Sequence, residues 1–119
     1  MDAALHDQAV AGISHLPLLL SAALVEAVAG DARAERGAGW DVASRLAAGG
    51  WRDMTRLARG DPQMGGGIVA TNGPALAVRL RDLRAVLDRW QAELDAPGGP
   101  DAAAIEEWLR EARARLDSR

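Results

Sequence analysis

Three arginines stand at helical spacing behind a pair of glycines. Gly49 and Gly50 precede Trp51, and Arg52, Arg56 and Arg59 follow with Asp53 among them. On a helix from Trp51 to Arg59, residues three and four apart share a face, so the three guanidinium groups can gather there. The first N–H groups of such a helix lack partners and carry partial positive charge, and a guanidinium offers a bidentate fork. Together these groups describe a place to hold a carboxylate or a phosphate. The plainer reading is a solvated helix with an Asp53–Arg56 pair worth roughly 0.3 kcal/mol. Spacing alone favours the plainer reading slightly.

Other reactive groups are sparse. His15 lies between apolar neighbours beside Pro17 and, taken alone, reads as a packed or capping histidine. His6 with Asp7 reads as a helix-entry pair in a solvated first turn. Two histidines without any cysteine give no convincing zinc set, and thiolate and disulfide chemistry are excluded. Gly65, Gly66 and Gly67 lack the G-x-G-x-x-G spacing and follow no strand, so they make no dinucleotide fingerprint.

The elements that must position these groups are helical throughout. Leu5, Val10, Ile13, Leu16, Leu20, Leu24 and Val28 recur at steps of three to five, which predicts one long helix from about Asp2 to Ala29 with a single apolar stripe. Pro17 removes a backbone donor inside it, so a kink is expected near Ile13–Ser14. Leu18-Leu19-Leu20 is apolar on all sides, which predicts burial on both faces. A polar loop is expected at 30–39, then a short helix to Ala48 capped by Asp41 and stapled by Trp40. Asp61 and Pro62 cap and start another helix, weakened by its three glycines or approached closely there by backbone or ligand. Leu76, Leu80, Leu83, Leu87, Trp90 and Leu94 form a heptad seam, and Pro97-Gly98-Gly99-Pro100 ends it. A last helix follows Asp101, with Ile105, Trp108, Leu109, Ala112 and Leu116 on one stripe. No segment alternates like a strand.

Composition bounds the rest. The 119 residues suit one domain. Aliphatic bulk comes from Ala and Leu, with no Phe or Tyr, which favours helix packing over a sheet sandwich. A net charge of −3 without a basic run argues against nucleic acid and anionic membranes as partners. The apolar run Leu16–Leu24 is too short to span a bilayer, and no basic segment precedes it, so neither a membrane span nor a signal peptide is expected. A cytoplasmic location is the default expectation.

Two blocks of this chain resemble the C-terminal helical domain of prephenate dehydrogenases, the arogenate/prephenate enzymes of tyrosine biosynthesis. LAAGGWRDMTRLARGDPQM, from Leu46 to Met64, is similar to the family signature Gly-Gly-aromatic-basic-Asp-x-Thr-Arg-aliphatic-Ala-x-x-Asp-Pro-x-Met-Trp. His6-Asp7, Ala11 and Ser14-His15-Leu16-Pro17 are similar to HD-x-x-x-A-x-x-SHLPH. The resemblance implies an all-α dimerisation domain like the C-terminal domain of 6-phosphogluconate dehydrogenase, with long first and fifth helices. It implies that Arg56 binds a substrate carboxylate, that Asp53 shapes the site, and that His15, Gly49 and Gly50 belong to the same substrate-binding region. Leu18 stands where the family has a second His, and Gly65 where it usually has Trp.

No catalytic, metal-binding or cofactor-binding residue is expected in this chain. The family's Rossmann half, with NAD or NADP and the catalytic His, resembles nothing here. The expected role is dimerisation and substrate binding for an enzyme that oxidatively decarboxylates prephenate to 4-hydroxyphenylpyruvate. The expected partners are a second copy, a prephenate-like small molecule, and tyrosine as inhibitor. The alternative is a stand-alone, non-catalytic helical module that dimerises or senses an aromatic ligand. A homodimer is also expected from the residues themselves, because one small domain has too many apolar helix faces to cover.

Overall fold

Pro17 decides the shape of the first helix. It has no N–H to give to the carbonyl four residues back, and its ring crowds that carbonyl. In a computed structural model, which describes residues 1–30 and 39–118, the chain answers by widening one turn. Helix α1 (Ala3–Val10) passes into a π-turn at Ala11–His15 and then into α2 (Leu16–Ala29). The N–H of Leu16 donates to the carbonyl of Ala11, five residues back. The kink expected near Ile13–Ser14 is thus a π-turn, a common device beside functional positions. Asp2 caps the start, its Oδ1 accepting from Ala4 N at 2.8 Å.

The inserted residue rotates everything after it, and the single apolar stripe does not survive. Leu5, Ile13 and Val28 are exposed, whereas Ala11, Ser21 and Ala29 are buried. Leu18, Leu19 and Leu20 are only half-buried, against the expected burial on both faces. Because the π-turn keeps the helix unbroken, Ala3–Ala29 spans 27 residues and is long and apolar enough to cross a membrane by length and composition, contrary to the shorter run read from sequence. Polar ties from neighbouring elements argue for packing against protein instead. The hydroxyl of Ser21 accepts from Ala58 N at 3.0 Å, a use of a buried polar group that lipid could not offer.

Helix α3 covers Trp40–Leu46 and α4 covers Gly49–Thr55, followed by a 3-10 turn at Arg56–Arg59. The expected loop at 30–39 lies outside the described residues apart from its ends. Asp41 is not the cap. The helix begins one residue earlier, so Asp41 sits in the first turn, where its backbone carbonyl accepts from Ser44 Oγ at 3.0 Å. The helix also stops before Ala48. Trp40 packs against Trp51, ring centroids 5.7 Å apart, and so joins α3 to α4.

Helix α5 (Pro62–Thr71) starts as expected, with Asp61 Oδ1 accepting from Gln63 N at 3.0 Å. Its three glycines stay helical. A Cβ on Gly65 would meet Leu18 Cδ2 at 3.6 Å, ordinary van der Waals contact, and one on Gly66 or Gly67 would meet nothing. The close backbone approach offered as one reason for these glycines is therefore absent among the described residues. Asn72 separates α5 from α6 (Gly73–Leu94).

The chain divides into two compact units, Met1–Leu80 and Arg81–Arg119, the boundary falling within α6. In the second unit, Gly98 and Gly99 take positive φ values of 83° and 92°, which glycine alone adopts without strain, and turn the chain into α7 (Ala102–Asp117). Asp101 caps α7 through Oδ1, and its own N–H donates to Glu93 Oε2 at 3.0 Å. Trp90 meets Trp108 edge-on at 5.0 Å, with the Arg89 guanidinium 4.3 Å from the Trp108 ring centre.

Very little of this is core. Among the described residues the buried hydrophobics are Ala11, Ala29 and Leu76. The heptad seam gives a continuous helix but not a continuous packed edge: Leu76 is buried, while Leu87 and Leu94 are 49% and 56% exposed. On α7, Leu109 and Leu116 are 57% and 77% exposed. No strand occurs among the described residues.

Candidate functional site

Two clefts flank the helix that carries the π-turn, and they differ in chemistry. The first, about 730 Å³, lies between α2, the 3-10 turn and α5. Its walls are almost wholly apolar, from Leu18, Leu19, Leu57, Met64, Ile68 and Val69, with Glu26 and Asp61 as its acids. Leu18 and Gly65, the two positions that depart from the family pattern, both line it, and the Leu18 side chain is what a Cβ on Gly65 would touch.

The second cleft, about 400 Å³, is mixed: His6, Asp7, Ser14, His15, Thr71 and Asn72 line it together with Val10, Gly67 and Ile68. His15 is half-buried there. Its Nδ1 lies 3.1 Å from the amide nitrogen of Asn72, and that nitrogen also donates to the backbone carbonyl of Asp7 at 2.9 Å. The π-turn is part of this arrangement, since His15 is its last residue and Asp7 lies just before it on α1. His6 and Asp7 make the expected pair, Nδ1 to Oδ1 at 3.5 Å, well exposed at 62% and 61%. A third, polar cleft of about 660 Å³ lies on the other side of Asn72, with Gln8, Thr71 and Arg79 among its walls.

The other sequence-derived site residues are not gathered around His15. Arg56 and Asp53 are exposed and line none of these three clefts. Arg56 does immediately precede Leu57 and Ala58, which line the apolar one. The Asp53–Arg56 pair does not form among the described residues, and neither do the arginines share one regular helix. Arg52 lies on α4, whereas Arg56 and Arg59 lie on the tighter 3-10 turn, where residues three apart eclipse. Thr55 marks the change of helix type, its Oγ1 donating to Trp51 O at 2.7 Å.

This geometry corrects the anion site read from spacing. Gly49 and Gly50 are the first two residues of a seven-residue helix rather than a hinge before it. Arg56 flanks the opposite end, roughly 10 Å away at 1.5 Å per residue. A Cβ on either glycine would meet nothing within 4 Å among the described residues. Among the described residues, no cluster of three or more His, Asp or Glu side chains is placed to hold a metal.

Asn72 is the residue that sequence reasoning missed. It is 57 positions from His15, and no local pattern links them. The one available signal was its place at a helix junction, before Gly73-Pro74, where asparagine commonly ends a helix.

The family described as "Prephenate dehydrogenase, dimerization domain" matches residues 2–111. The prephenate dehydrogenase of Lactococcus lactis subsp. cremoris is 28% identical over 113 residues, covering 95% of this chain and 30% of that protein. Among solved structures, Synechocystis arogenate dehydrogenase superposes with a TM-score of 0.85 at 34% identity, over 99% of this chain and 40% of its own. A Corynebacterium glutamicum protein provisionally named a prephenate dehydrogenase superposes with a TM-score of 0.79 at 30% identity, over 100% of this chain and 35% of its own. The chain spans less than half the length of each of these relatives. It belongs to the prephenate dehydrogenase dimerisation-domain family.

Proposed function

We propose that this chain is the dimer-forming and substrate-binding part of a cytoplasmic prephenate or arogenate dehydrogenase. In the parent reaction a hydride passes from the hydroxyl-bearing ring carbon to NAD(P)+, the ring carboxylate leaves as carbon dioxide, and the ring becomes aromatic. The nicotinamide cofactor would be held by residues other than these. The observation that carries the reading is the superposition on Synechocystis arogenate dehydrogenase along 99% of the chain. The polar cleft around His15 supports it by offering hydrogen-bonding groups beside an apolar wall, as a small ring bearing oxygens requires.

Dimerisation is supported by the family's description and by the exposed leucines of α6 and α7. Arg56 is proposed to bind a carboxylate of the substrate, with Asp53, Gly49 and Gly50 shaping that approach. Tyrosine, which shares the carbon skeleton of 4-hydroxyphenylpyruvate, is proposed as an inhibitor. The facing pair Leu18–Gly65 favours a second reading, in which the apolar cleft binds an aromatic ligand without turning it over.

Turnover separates the two. The full-length protein is expected to reduce NAD+ or NADP+ with prephenate or arogenate, and binding without turnover would favour the second reading. Calorimetry of prephenate with wild type and Arg56→Ala is expected to show a loss of about 2–4 kcal/mol, the cost of removing a charged hydrogen-bonding partner. Equal affinities would remove Arg56 from the site.

A further inference from the structure

Asn72 is buried, 9% exposed, and its amide nitrogen has two hydrogens to place. One goes to the backbone carbonyl of Asp7 at 2.9 Å. That bond fixes which way the amide faces, since an oxygen in the nitrogen's place would oppose another carbonyl oxygen. The second hydrogen then points to His15 Nδ1 at 3.1 Å. An amide N–H only donates, so this contact is a hydrogen bond when Nδ1 presents its lone pair, which is the tautomer with its proton on Nε2.

We infer that Asn72 is a positioning residue that locks His15 as the neutral Nε2–H tautomer, giving the polar cleft a hydrogen-bond donor for an acceptor oxygen of the ligand. The inference rests on the proposed reading of that cleft as substrate-binding. The cleft has no arginine in its walls, so its side-chain donors are the imidazoles of His6 and His15 and the hydroxyls of Ser14 and Thr71. Of these, the His15 imidazole is the one held by a buried side chain, whereas His6 pairs with Asp7 in the open. The ligand chemistry this selects is a carbonyl, hydroxyl or carboxylate oxygen at the edge of a small molecule. The π-turn belongs to the same device. It ends at His15, and the carbonyl that orients the amide belongs to Asp7, four residues before it begins.

The test is nitrogen NMR on full-length protein labelled with 15N-histidine, at a pH where the ring is neutral, with the His15 signals identified by their loss in His15→Gln. In wild type, Nδ1 is expected to be pyridine-like and Nε2 pyrrole-like. Asn72→Asp replaces a donor with an acceptor, so the His15 signals should move toward an Nδ1–H or a doubly protonated ring. Asn72→Ala should give an exchange-averaged mixture. Circular dichroism and thermal melting show whether each variant is folded, and a single folded variant is enough to read the tautomer. A pyrrole-like Nδ1 in wild type, or a tautomer unmoved in a folded Asn72 variant, would overturn the inference. The kinetic arm reads kcat/KM for prephenate or arogenate, with a loss of tenfold or more expected in both Asn72 variants. A moved tautomer with unchanged kcat/KM would leave the grip of Asn72 on His15 standing and overturn the reading of the cleft as the substrate's.

Discussion

Both units of the chain use a pair of tryptophans to join two consecutive helices, and the two pairs are built differently. In the second unit Trp90 meets Trp108 at 5.0 Å while Arg89 lies over the Trp108 ring, Glu93 reaches back to Asp101 N, and Asp101 caps α7. In the first unit Trp40 meets Trp51 at 5.7 Å between two seven-residue helices, neither of which has a side-chain cap. Among the described residues, one junction is fastened by four local interactions and the other by a single ring contact. The difference follows helix length. A helix of about seven residues does not hold itself in water, so α3 and α4 depend on what packs against them. Helix α7, with sixteen residues and a cap, has local support of its own.

The largest expected effect sharpens this contrast. Trp108→Ala removes the edge-on ring contact, the cation–π contact and the buried area together. It should cost about 2–3 kcal/mol in chemical denaturation, against about 1–2 kcal/mol for Trp51→Ala. Equal losses would break the comparison. Caps come next. Asp101→Ala should cost about 1 kcal/mol, whereas Asp41→Ala, which removes no cap, should stay within about 0.5 kcal/mol of wild type. The smallest effect runs the other way. Gly66→Ala should stabilise by up to about 1 kcal/mol, because the added methyl meets open space and the glycine's helix penalty is relieved. Thermal melting of the variant against wild type checks it.

Local signals in the sequence were reliable where chemistry within one turn decides the outcome. Asp61 and Asp101 cap the helices they precede, and Pro17 distorts the chain within a turn of where its missing N–H required. Asp41 misled because the helix starts at Trp40, which packs on Trp51, two residues before the start that an Asp41 cap would give, and a tertiary contact outweighs a local preference there. The apolar stripe of the first helix failed for a related reason. Its period is legible, but the π-turn changes the phase midway, and whether a proline yields a kink or a π-turn depends on neighbours far along the chain. The same limit hid the site. His15 was visible as a residue, but its role depends on an amide contributed from the far end of α5, and a single sequence holds no trace of that meeting. Arg56 was legible from its motif, yet its place after the end of α4 rather than within one helix from Trp51 to Arg59 needed the switch to a 3-10 turn after Thr55.

The central claim is that helices left bare in one chain are completed by a second copy. The buried hydrophobics among the described residues, Ala11, Ala29 and Leu76, cannot by themselves hold this many helices, while Ile13, Leu46, Leu109 and Leu116 stand 57–79% exposed. A twofold pairing would cover them, and an obligate interface of that kind buries more than roughly 2,000 Å². Sedimentation equilibrium of this chain at micromolar concentration tests it most directly. The account predicts twice the 12.5 kDa chain mass, with an unfolding midpoint that rises with protein concentration. A stable monomer at 12.5 kDa, unfolding cooperatively at a midpoint independent of concentration, would contradict it.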